Sequence, residues 1–174
     1  GPARVALEVT RSGQGSTFTQ VVRLAAAGNR VEFDDTIGWD TYKRNLKATF
    51  PLAVSNESAT YDLGLGTIQR GNNVPERFEV VSQQWFDLTS PRGDYGVSVL
   101  NDSKFGSDKP NDNTLRLTLL RTPGARSYQD QATQDIGRHE VRYALQGHTG
   151  DWRKGTTSWE AARLTQPLVA FPAP

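Results

Sequence analysis

Leu46-Lys47-Ala48-Thr49-Phe50-Pro51-Leu52-Ala53-Val54 carries an apolar side chain at every second position. Successive residues of an extended chain point to opposite faces, so Leu46, Ala48, Phe50, Leu52 and Val54 share one side of a strand. Pro51 has no amide donor, which assigns part of this run to a sheet edge or a bulge. The same period recurs outward along the chain. Val5, Leu7 and Val9 alternate with Arg4 and Glu8; Phe18, Val22 and Leu24 share a face; Val31, Phe33 and Ile37 stand opposite Glu32 and Asp34. Further on come Phe78-Val80, Val97-Val99, Leu115-Leu117-Leu119 and Val141-Tyr143-Leu145. One apolar and one polar face is the pattern of antiparallel strands that meet a core on one side and water on the other.

Turn chemistry separates these runs. Ala27-Gly28-Asn29, Ser55-Asn56-Glu57, Arg70-Gly71-Asn72-Asn73 and Pro91-Arg92-Gly93-Asp94 supply residues that tolerate positive φ or preset a turn. Two longer loops are expected, Asn101 to Asn113 and Thr122 to Gly137. One short helix is expected near the C-terminus: Thr157 followed by Glu160 reads as a capping box, Ala161-Ala162-Arg163-Leu164 continues it, and Pro167 stops it. Many strands, long loops and one marginal helix predict an all-β sandwich.

The chain has 174 residues, with 20 Lys+Arg against 19 Asp+Glu and a formal net charge of +1. This length suits one domain with a real core. There is no cysteine, which excludes disulfides, thiolate-bound zinc and a thiol nucleophile. Basic and acidic residues interleave, as in Arg30-Val31-Glu32 and Glu140-Val141-Arg142, which argues against nucleic acid as a partner. No apolar run approaches the ~20 residues of a membrane-spanning helix. Gly1-Pro2 reads as the scar of a cleaved tag, and with no Met in the chain the expectation is a single domain, residues 3–174, cut from a larger protein.

Candidate chemistry is sparse. His139 and His148 are the two imidazoles. On one strand they would lie roughly 30 Å apart and face opposite sides; the parity of Val141 and Tyr143 makes His139 the core-facing one and His148 the loop one. Asn101-Asp102-Ser103-Lys104-Phe105-Gly106 is either a solvated turn or a sugar-recognition loop, with amide, carboxylate and ammonium groups for hydroxyls and Phe105 for a ring face. Its spacing is not that of a calcium-binding EF-hand loop. Among the tryptophans, Trp85 belongs to an apolar strand and reads as core. Trp152, after Gly150-Asp151, either plugs the sandwich or faces a ligand. Trp159 is expected to staple the helix to the sheet. Paired catalytic carboxylates, a phosphate loop and a nucleophile elbow do not stand out.

Asp94-Tyr95-Gly96-Val97-Ser98-Val99-Leu100-Asn101-Asp102-Ser103-Lys104-Phe105-Gly106 closely resembles a stretch of the family 38 glycoside hydrolases, the α-mannosidases. The resemblance runs through Leu115-Arg116-Leu117-Thr118-Leu119-Leu120-Arg121-Thr122-Pro123, Asp135-Ile136-Gly137-Arg138-His139, Tyr143-Ala144-Leu145 and His148-Thr149-Gly150-Asp151-Trp152. Upstream it includes Arg30-Val31-Glu32-Phe33 with Trp39, and Leu46-Lys47-Ala48-Thr49-Phe50-Pro51-Leu52; downstream, Gln166-Pro167-Leu168. It covers nearly the whole chain in order. Phe105 stands where relatives often carry Tyr.

The resemblance implies an antiparallel β-supersandwich like that of galactose mutarotase, forming the C-terminal β portion of a retaining glycosidase. It implies that the nucleophile, its acid/base partner and the zinc or other divalent metal belong to a separate N-terminal barrel, so that this chain by itself holds no cofactor and does not hydrolyse mannosides. The implied partners are that barrel and mannose-containing glycans. Asn101, Asp102, Ser103, Lys104, Phe105, His148, Asp151 and Trp152 are the candidates for the edge of the substrate cleft or for carbohydrate contact; His148, Asp151 and Trp152 equally suit structural keystones. Two other functions are compatible with these residues: an autonomous carbohydrate-binding module, and a mutarotase-like sugar isomerase that would depend on His139 or His148.

Overall fold

The computed structural model describes residues 1–124, 134–166 and 168–171. Among these residues twelve strands and one helix form, in the order β1 (Arg4–Gly13), β2 (Ser16–Ala25), β3 (Arg30–Trp39), β4 (Arg44–Pro51), β5 (Ala59–Asp62), β6 (Thr67–Arg70), β7 (Val80–Val81), β8 (Trp85–Thr89), β9 (Tyr95–Asn101), β10 (Gly106–Asn111), β11 (Thr114–Thr122), β12 (Gly137–Thr149) and α1 (Thr157–Thr165). Eight strands make the larger sheet, ordered β1-β2-β3-β12-β9-β8-β5-β6, and four make the smaller, ordered β4-β11-β10-β7. All pairings are antiparallel. The expected all-β architecture with one short helix near the C-terminus is therefore the one observed.

Local chemistry explains the connections. β1 and β2 are joined by Gln14-Gly15, both at positive φ (52° and 84°). That is the two-residue hairpin turn whose twist matches the strands. Pro51 is the last residue of β4, an edge strand of the smaller sheet, where its missing donor breaks no interior ladder.

The main core lies between the sheets. Phe50, Leu115, Leu117 and Leu119 from the smaller sheet meet Ile37, Phe86, Leu88, Val99, Val141 and Tyr143 from the larger. Phe33 and Tyr143 stack at 5.0 Å, and Phe50 meets Tyr143 edge-on at 6.0 Å. A second core covers the opposite face of the larger sheet, where Ala161 and Leu164 of α1 pack on Trp85, Leu100 and Ala144. β8, β9 and the second half of β12 are therefore buried on both faces.

Several expectations are corrected here. The capping box fails: Thr156 is the N-cap, at φ 53° with no side-chain cap bond, while the Thr157 hydroxyl pairs with Ser98 Oγ at 2.8 Å. Glu160 instead pairs with Arg30 and Arg163. Trp159 does not staple the helix; it is 70% exposed, because Ala161 and Leu164 define the buried stripe. The expected loop from Asn101 to Asn113 is mostly strand, since β10 and β11 form a hairpin, leaving 102–105 as the connection. Phe78 is exposed, and the strand nearby is only Val80–Val81. Most of the second expected loop and the helix stop at Pro167 fall outside the described residues.

Candidate functional site

The candidate residues divide between the two ends of β9. Asn101 closes the strand and is fully buried. Its amide donates to Gln83 O at 3.1 Å, and its Oδ1 accepts from the Lys104 amide at 2.9 Å. Asn101 thus folds the connection after β9 back on itself, helped by Ser103 at φ 62°. The Asp102 amide donates to Arg142 O at 3.0 Å, fastening the loop to β12.

Asp102, Ser103 and Lys104 form one wall of a polar cleft of about 600 Å³, shared with Arg23, Asp34 and Arg142. Its floor is the outer face of β2, β3 and β12. The registers Val21↔Asp34 and Asp34↔Arg142 put Asp34 at the centre, where Arg142 Nε donates to Oδ1 at 2.6 Å and Arg23 pairs with the other oxygen. Phe105 does not line this cleft. It is 52% exposed, and its carbonyl accepts from the Ser82 amide.

At the other end, His148 lies opposite Gly96, five residues from Asn101 along β9, or about 17 Å at strand rise. His148 Nε2 is 2.7 Å from Asp87 Oδ1, and Nδ1 is 3.2 Å from Gly150 O. Ser98 Oγ donates to Asp87 Oδ1 at 2.7 Å, and Thr89 Oγ1 to Oδ2 at 2.5 Å. The His148 and Asp87 side chains are 1% and 0% exposed. Both ring nitrogens face acceptors, an arrangement that favours the protonated ring, in which both are donors. Burial opposes that charge, but the Asp87 hydrogen bond and carboxylate, with the Gly150 carbonyl, carry the His148 pKa above its ordinary value.

Two glycines make room for the ring. A Cβ at Gly96 would sit 2.6 Å from His148 Cε1, and one at Gly155 would sit 2.6 Å from Cγ. His148, expected in a loop, is instead buried on β12, while His139 keeps the parity of Val141 and Tyr143 opposite Ile37 but is only half-buried near the strand's start, with Nε2 on Asp135 O at 3.0 Å. The two imidazoles lie nine positions apart on the continuous β12, too far to share a metal or a proton.

Asp151 and Trp152 follow immediately. Asp151 caps the turn after β12, accepting from the Lys154 amide at 3.1 Å; that bond, more than the Arg153 pairing, holds its carboxyl low. Trp152 packs on Trp85 with centroids 4.8 Å apart, while the Arg153 guanidinium lies 4.1 Å from its ring centre. Both residues border a smaller polar pocket of about 300 Å³ with Asn56, Thr89 and Arg92. The structure therefore joins Asp102, Ser103 and Lys104 in one place and Asp151 and Trp152 in another, and encloses Asn101 and His148. Asp87 was not among the expected residues, although an acid within Trp85-Phe86-Asp87-Leu88 is a signal for a buried partner.

The implied zinc finds no donor set here. Both ring nitrogens of His148 are engaged, His139 stands alone, and no group of three His, Asp or Glu side chains is placed to hold an ion among the described residues.

The profile described as the Glycosyl hydrolases family 38 C-terminal domain matches residues 1–132. The chain belongs to glycoside hydrolase family 38. Curated relatives of this family 38 domain are α-mannosidases. It is 36% identical over 164 residues to alpha-mannosidase 2C1 of Mus musculus and 37% identical over 164 residues to that of Homo sapiens, covering 91% of this chain and 15% of each relative. It is 33% identical over 128 residues to an alpha-mannosidase of Saccharomyces cerevisiae, covering 70% of this chain and 11% of that one. The chain thus spans about one-seventh of the length of the 2C1 relatives. Among solved structures, an alpha-mannosidase from Enterococcus faecalis V583 superposes with a TM-score of 0.73 at 21% identity, over 84% of this chain and 17% of that one. This likeness bears on the fold alone.

Proposed function

We propose that the family 38 domain, residues 3–174, is a non-catalytic part of a larger, multidomain α-mannosidase, packing on a metal-dependent catalytic barrel and completing the rim of its substrate cleft. The observation that carries this reading is the sequence match to α-mannosidases over 91% of this chain but only 15% of theirs. The site chemistry agrees. A retaining glycosidase needs two carboxyl groups about 5 Å apart and open to substrate. Here Asp87 is sealed beside His148, Asp35 is consumed by Gln20 and Tyr143, and Asp34 is neutralised by two arginines. Nucleophile, acid and metal are supplied by the remainder of the enzyme, and Asp102, Ser103 and Lys104 present the polar edge that reaches the glycan.

Hydrolysis of an aryl α-mannoside by the 174-residue chain, compared with the full-length polypeptide that contains it, tests the proposal. The expected result is turnover only by the longer protein, with loss of activity on chelation; turnover by the short chain at a comparable kcat/KM sinks it. Titrating mannose oligosaccharides onto the short chain is the companion measurement. Saturable shifts of the 102–104 amides at millimolar ligand would instead favour an autonomous carbohydrate-binding module.

A further inference from the structure

The two sheets are unequal, eight strands against four, and the surplus is concentrated at β1 and β2. Register places Val5 beside Leu24 and Leu24 beside Val31, with Leu7 beside Val22 and Val22 beside Phe33. These side chains share the inner face with Tyr143 and Leu145 of β12. Where the smaller sheet covers that face, Phe33 and Tyr143 meet Phe50. Beyond it the apolar rows run into solvent: Val5 is 62% exposed, Leu7 64% and Leu24 45%.

Among the described residues β4 forms the near edge of the smaller sheet, with β11 as its one neighbour. A groove of about 600 Å³ lies between that edge and the overhang, with Phe18, Phe33 and Ile37 on one side and Leu46, Ala48 and Phe50 on the other. Arg11, Ser12, Lys47 and Thr49 also line it, while the polar side chains of Gln20, Asp35 and Tyr143 satisfy one another. Gln20 Nε2 donates to Asp35 Oδ1 at 2.9 Å and to the Tyr143 hydroxyl at 3.0 Å, and Tyr143 donates to Asp35 Oδ2 at 3.0 Å. Because these three are already partnered, covering them with apolar side chains leaves no buried donor or acceptor of theirs unpaired.

We infer that an extended segment from the rest of the α-mannosidase polypeptide adds to the open edge of β4 as a further strand and lays its apolar side chains beneath β1–β3. The backbone supplies the first reason, since an edge strand leaves alternate N–H and C=O groups unpaired and ready for strand addition. Dimensions supply the second: each added strand widens a sheet by about 4.8 Å, so one or two would cover the β1–β2 overhang. Length supplies the third, because the chain is 15% of its 2C1 relatives and most of such a polypeptide is available in cis.

The inference rests on the reading of the chain as one domain of a longer enzyme, and hydrogen exchange separates the two. Amides of residues 44–50 and 4–13 should exchange at least tenfold faster in the 174-residue chain than in the full-length polypeptide. Protection gained elsewhere, such as at 102–104, but not here would overturn the strand addition while leaving the domain reading intact. No added protection anywhere would remove both. Protection already present in the short chain and rising with its concentration would assign the groove to a second copy and also overturn the inference. As a second readout, Leu7→Lys and Leu24→Lys should leave the unfolding midpoint of the short chain unchanged and lower that of the full-length protein; equal midpoints in both would count against it.

Discussion

His148 Nε2 and Asp87 Oδ1 lie 2.7 Å apart with both side chains closed to solvent, forming a charged hydrogen bond beneath the C-terminal helix. Ser98 links this pair to Thr157, the first residue of α1. The pair thus connects β8, β9, β12 and the helix through side chains alone. Breaking one partner of a buried ion pair strands the other, at a cost of about 3–5 kcal/mol. His148→Gln should lower the unfolding free energy by that order in urea titrations at pH 6. A loss below 1 kcal/mol would mean the pair is solvated.

The same pair sets a pH dependence. His148 has a folded pKa above the ordinary 6.5, so its stabilisation is complete below about pH 6.5 and is lost as pH rises through the folded value. Asp94, held low mainly by the Ser90 hydroxyl, and Asp151, held low mainly by the Lys154 amide, act in acid and leave this window clear. Stability should therefore fall with rising pH on the alkaline side of 6.5. Asp87→Asn should flatten the slope. An unchanged slope in that variant would place the titration elsewhere.

Gly96 and Gly155 hold the imidazole from two sides. An added methyl must displace the ring, and overpacking of this kind costs roughly 1–3 kcal/mol. Gly96→Ala and Gly155→Ala should each be destabilised by that amount. Gly147→Ala, where nothing lies within 4 Å of the new carbon, should stay close to the parent. Thermal melts of the three variants provide the comparison.

Trp85 and Trp159 should behave oppositely despite their common side chain. Trp85 is 2% exposed and packed on Trp152, so Trp85→Ala should cost about 3–5 kcal/mol. Trp159 projects into solvent, and Trp159→Ala should stay within about 0.5 kcal/mol. Denaturant unfolding followed by circular dichroism checks both.

Alternation of apolar residues made the strands legible: Leu46-Ala48-Phe50 and Leu115-Leu117 lie on the inner face as their period requires. The same period misassigned the other face. Arg138, Glu140 and Arg142 made the outer side of β12 look wet, yet Ala144, Gln146 and His148 on that side are buried. The cause is long-range, since α1 covers only the second half of the strand and no local pattern announces where a later helix will lie. The helix start was ambiguous for a local reason. Thr156 and Thr157 are adjacent threonines, and a glutamate three residues after Thr157 favoured the wrong one. The Asp102–Lys104 wall was visible as a polar loop, but its arginine neighbours come from β2 and β12, joined only through strand pairing.

The placement of β12 imposes an order of events on synthesis. β3 pairs with it across 108 residues, from Asp34 to Arg142, and β9 pairs with its opposite edge. A ribosome releases β1–β3 and β8–β9 first, as two hairpin groups with open flanks. Until residues 137–149 have emerged, the larger sheet cannot close. Contacts of such long separation form slowly, and waiting edges invite mispairing. Strand β12 is therefore a late keystone: a nascent chain stalled before Gly137 would expose two sticky margins, and a chaperone that shields β3 and β9 would act within that interval.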